Sequence, residues 1–311
     1  MNNNSPRSAS KPVSAQCDAR STFVLAPDGL RLHVREYGGV GPGTFALVCL
    51  PGLTRTTADF DIVAPALANG SPRRRVIALD SRGRGKSEYD SNPQHYNLTV
   101  ELADLAAVLS ALQIGPAVFL GSSRGGILTM LLAVAQPAAI AGAVLHDIGP
   151  VIEPEGLARI KSYVGRLPQP ASLIEAANML RQVFERQFPR LTRQQWLAAA
   201  ARAWKDDNGV LVPTYDVRLA STIVEFDNGR MLPPLWHEFD ALARVPILMI
   251  RGANSDVVSV ATVKAMRERH PALDYIEVPD QGHVPLLEGA ELLQRIAAFV
   301  AKCDQIAAVR R

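Results

Sequence analysis

Short apolar runs recur along the chain, each closed by a cluster of small or polar residues, and stretches with apolar positions at helical spacing lie between them. Residues 45–50, 75–80, 117–120, 143–146, 246–251 and 275–278 read as strands. Residues 30–37 instead alternate apolar and polar positions, which predicts an edge-side strand with one wet face. Leu102, Leu105, Ala106, Leu109 and Leu112 repeat at helical spacing behind Thr99, which is placed to cap that helix. Strands alternating with helices predict an α/β fold, a mostly parallel sheet covered by helices on both faces.

The alternation stops near residue 151 and resumes near 241. Between them, Leu173, Ala176, Ala177, Leu180, Val183 and Phe184 share one helix face, and Thr192 with Gln195 has the spacing of a capping box ahead of Trp196. The expected organisation is therefore a core of 21–150 and 241–311 carrying a helical insertion over 151–240. Residues 1–20, rich in Asn, Ser, Pro and Ala with no apolar segment, predict a disordered tail and not a signal peptide. The glycine-rich stretch 38–43 leaves no room for a helix before Phe45, so it is expected to be a hairpin loop and not a dinucleotide-binding turn.

Composition narrows the function classes. With 311 residues and 48% hydrophobic content the chain can bury one sizeable core. Its net charge of +3 is too small and too interspersed for a nucleic-acid surface. No apolar run approaches membrane-spanning length, and Cys17, Cys49 and Cys303 match no metal or redox spacing. These features together predict a cytoplasmic protein without a nucleic-acid or membrane partner and with neither cofactor nor metal.

The chemistry centres on Gly121-Ser122-Ser123-Arg124-Gly125, a G-x-S-x-G pentapeptide between the apolar run 117–120 and a helical stretch beginning at Gly126. Strand, sharp turn and helix in that order form a nucleophile elbow, which lifts one serine hydroxyl clear of the sheet at the positive end of a helix. Ser123 is the candidate nucleophile. Its base is expected on a loop at the carboxyl edge of the sheet, where ligands of such folds bind, and His283 follows strand 275–278 in such a loop. The other histidines fall on predicted strands, on helices or in a polar turn.

The acid that orients the imidazole should end another strand. Asp256 follows strand 246–251 and is preferred on the order Ser…Asp…His, while Asp147, ending strand 143–146, is the alternative acid. Oxyanion donors are expected from the backbone of Arg124, which follows the nucleophile, and of Leu53, in the loop after strand 45–50. The Asp80–Ser87 segment ends like a phosphate-binding loop but has Asp80 where the first glycine is required, which excludes an NTPase cradle.

With these pieces in family order, the chain resembles α/β-hydrolase-fold serine hydrolases of the capped type, which include enol-lactone hydrolases and small carboxylesterases. Leu50-Pro51-Gly52, Asp80 to Ser87, the elbow, Asp147-Ile148-Gly149-Pro150, Arg251-Gly252 and Gly282-His283 carry the resemblance. It departs from the family at Pro51, where a histidine is usual, and at Arg124, where an uncharged residue is common. The resemblance implies an eight-stranded sheet, a helical cap formed by the insertion, and hydrolysis of a small ester or lactone through an acyl-enzyme. Thioester hydrolysis, acyl transfer, C–C bond hydrolysis and non-catalytic ligand binding are the alternatives on the same scaffold. Arg124 is a candidate partner for a substrate carboxylate or, alternatively, an ion-pair partner of Asp80 or Asp147. Trp204 is the candidate apolar substrate contact in the cap.

Overall fold

The computed structural model describes residues 19–224 and 232–310. Of the expected tail, residues 1–18 lie outside the described range, as do 225–231 of the insertion. Arg20 already belongs to a strand, so the tail expectation runs too far.

Eight strands form the main sheet: β1 (Arg20–Leu25), β2 (Arg31–Tyr37), β3 (Ala46–Leu50), β4 (Val76–Leu79), β5 (Ala117–Ser122), β6 (Ile140–His146), and then β9 (Ile247–Gly252) and β10 (Asp274–Val278), which follow a small separate hairpin of β7 (Trp204–Asp207) and β8 (Val210–Pro213). Their order is β1-β2-β4-β3-β5-β6-β9-β10. The pairs β1–β2 and β2–β4 are antiparallel and every other neighbouring pair is parallel. The mostly parallel eight-stranded sheet expected from the resemblance is thus present.

Strand periodicity divides each strand between two cores. In β3, Val48 and Leu50 point to one side, where α2 (Leu98–Ala111), α3 (Arg124–Ala135), α8 (Trp236–Asp240) and α9 (Val260–Arg269) pack. Leu47 and Cys49 point to the other, against α1 (Val63–Ala68) and α10 (Ala290–Arg310). The central strands are apolar throughout because both faces are covered, and each fully buried Leu or Val contributes roughly 1.5–3 kcal/mol of burial free energy.

Three local expectations change. β2 is not wet on one face: β1 covers its edge, and His33, between Leu32 and Val34, is as fully buried as they are. The glycine stretch after β2 is not a hairpin loop, since β2 and β3 both flank β4 and the chain must step past that strand. The cap of α2 is Asn97, whose side chain accepts from the Val100 N–H, with Thr99 already inside the first turn.

Among the described residues between β6 and β9, no strand joins the main sheet. This segment carries α4 (Pro154–Tyr163), α5 (Leu173–Phe184), α6 (Arg193–Ala203), the β7–β8 hairpin and α7 (Ser221–Val224). It has its own apolar cluster, including Leu180, Phe188, Trp196 and Trp204. The capping box at Thr192 and Gln195 is formed. The hairpin is the element that helical periodicity did not predict.

Candidate active site

β5 runs straight into α3 through Ser123, whose backbone has φ 49° and ψ −114°. A positive φ is strained for a residue with a Cβ and costs of order 1–3 kcal/mol, so packing must impose it. It does: a Cβ on Gly121 would lie 2.4 Å from the Gly125 carbonyl oxygen, and one on Gly125 would lie 2.1 Å from that of Leu50. Only glycine at both positions lets the turn close this tightly against β3. Ser123 consequently stands at the N-terminus of α3, where the first helical N–H groups have no intrahelical partner.

His283 brings the next two groups into line. Its Nε2 lies 2.8 Å from Ser123 Oγ and its Nδ1 lies 2.7 Å from Asp147 Oδ2. Asp147 is fully buried and its carboxylate accepts two further hydrogen bonds, from the Gly252 N–H at 2.7 Å and from the Ser255 hydroxyl at 2.6 Å. A carboxylate held from three sides fixes the imidazole with Nδ1–H toward Asp147 and Nε2 toward the serine.

The preference for Asp256 is corrected by this geometry. Asp256 is bound by Arg159 of α4 through two hydrogen bonds, at 2.5 and 2.8 Å. Burial raises its pKa but the Arg159 guanidinium more than offsets this, leaving the carboxyl below its ordinary value. The reason lies in the register. Asp147 ends β6 directly beside β9, its N–H donating to Ile250, and its left-handed backbone, φ 54°, belongs to this abrupt strand end. The loop after β9 instead turns toward the intervening helices and carries Asp256 with it.

Arg124 also departs from expectation. Its side chain reaches neither Asp80 nor Asp147 in an ion pair but binds Glu101 of α2, Nε to Oε2 at 2.8 Å and Nη2 to Oε1 at 3.1 Å. Glu101 also receives Arg84 Nη1 at 2.9 Å, and Arg84 Nε donates to the Leu53 carbonyl at 2.7 Å. Burial raises the Glu101 pKa, yet the two guanidinium groups outweigh it and bring the value down to about 2. One buried carboxylate therefore ties together the two residues expected to offer oxyanion donors, Leu53 and Arg124. The paired Arg124 guanidinium does not line the cavity above Ser123.

His146, a strand-end residue with no assigned role in the sequence, is a second fastening. Its Nδ1 lies 2.7 Å from Ser122 Oγ and its Nε2 lies 2.9 Å from the Pro285 carbonyl. The carbonyl can only accept, so Nε2 carries the proton and Nδ1 accepts from Ser122. Burial pushes its pKa down to about 4, keeping it neutral as it joins the elbow to the His283 loop.

Above Ser123 lies a cavity of about 170 Å³, walled by Leu53, Ser123 and His283 below and by residues of α4, α5, α6 and the hairpin above. Leu180, Phe184, Trp196 and Trp204 make it chiefly apolar. Arg55 and Arg202 reach its wall. Neither was singled out from the sequence, because an arginine beside the oxyanion loop or on a helix gives no local signal of where its end points. Among the described residues, Asp28, Asp90 and His95 lie close enough to share a cation. They surround Arg82, which donates to both aspartates and already supplies a positive charge there.

The model of the Alpha/beta hydrolase family matches residues 47–295. A 3-hydroxybutyrate-oligomer hydrolase of Cupriavidus necator is 33% identical over 84% of this chain and 90% of its own. A 2-(acetamidomethylene)succinate hydrolase of Mesorhizobium japonicum is 26% identical over 82% of this chain and 85% of its own. Among solved structures, an alpha/beta hydrolase from Novosphingobium aromaticivorans is 37% identical and superposes with a TM-score of 0.84, covering 93% of this chain and all of that one (100%).

Proposed function

The chain belongs to the alpha/beta hydrolase family, and from that premise we propose that it cleaves a small carboxylic ester or lactone through an acyl-enzyme on Ser123. The single observation that carries this reading is the continuous line from Ser123 Oγ through His283 to the buried Asp147 carboxylate, at 2.8 and 2.7 Å.

In the proposed mechanism Ser123 Oγ attacks the carbonyl carbon while His283 Nε2 takes its proton. Asp147 holds the imidazole in the required tautomer and stabilises the imidazolium. The carbonyl oxygen, now anionic, is met by the backbone N–H groups of Leu53 and Arg124, and the N-terminus of α3 adds its dipole. Collapse of the tetrahedral intermediate expels the alcohol, which receives the proton from His283. Water then enters, His283 accepts its proton, and a second tetrahedral intermediate releases the acid and regenerates Ser123.

The segment between β6 and β9 acts as a cap whose apolar wall selects small substrates with hydrocarbon character and limits water near the reacting carbonyl. An ester bond is favoured over the C–C and thioester alternatives by the Cupriavidus necator relative, named a hydroxybutyrate-oligomer hydrolase. Oligomers of a hydroxy acid are joined by ester bonds.

A fluorophosphonate probe tests the reading together with a panel of aryl esters, lactones and acyl thioesters. One probe per chain, mapped to Ser123, and turnover of esters or lactones ahead of thioesters are the expected results. Absence of labelling at Ser123 would overturn the nucleophile, and turnover confined to thioesters would overturn the substrate class.

A further inference from the structure

We propose that the cavity above Ser123 holds a carboxylate-binding subsite at Arg202, so that preferred substrates carry an anionic carboxylate away from the scissile ester. This deepens the reading above and rests on it for the reaction, though not for the binding.

Among Asp, Glu, Lys and Arg side chains, the described cavity wall carries only Arg55 and Arg202; no carboxylate lines it. The two arginines are not equivalent. Arg55 is spent on Asp59, just behind the wall, through paired hydrogen bonds of 2.7 Å each from Nε and Nη2. Arg202 approaches the same carboxylate only with Nε at 3.6 Å, beyond hydrogen-bonding range. Among the described residues its guanidinium has no hydrogen bond, although its side chain is only 21% exposed.

Two further acids that do not line the cavity act on Arg202, and both have donors of their own. Glu288 accepts from Gln195 at 2.6 Å, and Asp61 accepts from Tyr37 and Arg35. Burial, with the neighbouring Arg55 charge, leaves the Arg202 pKa below its ordinary value. A largely buried guanidinium without a hydrogen bond, on the wall of a chiefly apolar space, is matched by a planar anion that can accept two N–H bonds.

Arg55 connects the subsite to the nucleophile's end of the cavity. The space beside Gly52 where a Cβ would sit is 3.3 Å from Arg55 Cγ and 3.6 Å from Ser123 Cβ, so the Arg55 stem adjoins the elbow. Arg202, sharing Asp59 with Arg55, stands next along the wall. A ligand with its ester at Ser123 and a carboxylate on Arg202 keeps its hydrocarbon middle against Trp196 and Trp204. Half-esters of dicarboxylic acids and short oligoesters of hydroxy acids have this form.

The test compares mono-p-nitrophenyl adipate with p-nitrophenyl hexanoate, which differ in a terminal carboxylate. In Arg202→Gln the ratio of their kcat/KM values should fall at least about tenfold, the scale of a lost charged hydrogen bond, and Arg202→Lys should recover part of it. An unchanged ratio would overturn the subsite. Calorimetric binding of hexanoate and hexan-1-ol keeps it testable if no ester is turned over. Hexanoate affinity should drop about tenfold in Arg202→Gln with a smaller change for the alcohol, and equal changes, or none, would overturn it. Hexanoate binding that depends on Arg202 in a protein that turns over no ester would defeat the reaction while leaving the subsite standing.

Discussion

Two Ser–His–Asp lines run through the described residues, and the proposed function assigns chemistry to one of them. Ser21 Oγ lies 3.0 Å from His33 Nε2, and His33 Nδ1 lies 2.7 Å from Asp80 Oδ2. These distances nearly reproduce those of Ser123, His283 and Asp147. The settings differ. Ser21 lies in the regular ladder of edge strand β1, opposite Arg35, with no strained turn and no helix beginning beside it. Asp80 is also engaged by the N–H groups of Thr57 and Lys86, so this line stitches β1, β2 and the β4 turn together. Ser123 has a positive φ, a helix N-terminus and a cavity walled by α4, α5, α6 and the hairpin. Relay distances are therefore a weak criterion, and the backbone that presents the hydroxyl separates a nucleophile from a structural hydrogen bond.

The comparison breaks most decisively at the serines. Ser123→Ala should lower kcat/KM on p-nitrophenyl hexanoate by about a thousandfold or more, and Ser21→Ala by less than about twofold. Comparable losses would mean that the second line is also reactive. Next come the carboxylates. Asp147→Asn should cost about a thousandfold or more in kcat by favouring the wrong imidazole tautomer, whereas Asp256→Asn, which loosens the hold of Arg159, should cost less than about tenfold. The reverse order would return the orienting role to Asp256.

A smaller effect concerns the fastening around the first line. His146 has a folded pKa of about 4 against an ordinary 6.5, so between these values the unfolded chain binds a proton that the native state does not. Its contribution is complete above pH 6.5 and is lost as pH falls to about 4, with a slope of at most about 1.4 kcal/mol per pH unit. Denaturant unfolding of wild type and His146→Gln across this window should show the slope reduced in the variant. Identical slopes would show that His146 is not the group responsible.

Much of the fold was legible because its signals are local. Apolar runs marked the central strands, and Thr192 with Gln195 marked the start of α6. The strand β1 is less legible because an edge strand buries little; its pattern is mostly exposed and its apolar run, Phe23-Val24-Leu25, is short. His33 was read as part of a half-wet strand for the same reason, its cover coming from a partner strand that had not been recognised.

Within the candidate site, the turn at Ser123 follows from residues touching one another along the chain. Gly121 and Gly125 are required by contacts within the pentapeptide and with the adjacent strand, and strand–glycine–serine–glycine–helix is written continuously. The position of His283 after a strand is similarly local. The choice between Asp147 and Asp256 is not, since both follow parallel strands and both precede His283. It depends on β6 lying between β5 and β9, which points Asp147 at the imidazole, and on Arg159 of a distant helix, which claims Asp256. The pairing of Arg124 with Glu101 and the unspent donors of Arg202 are of the same kind. A charged side chain's partner is set by whichever opposite charge packing brings within a few ångströms, and packing is a property of the folded whole.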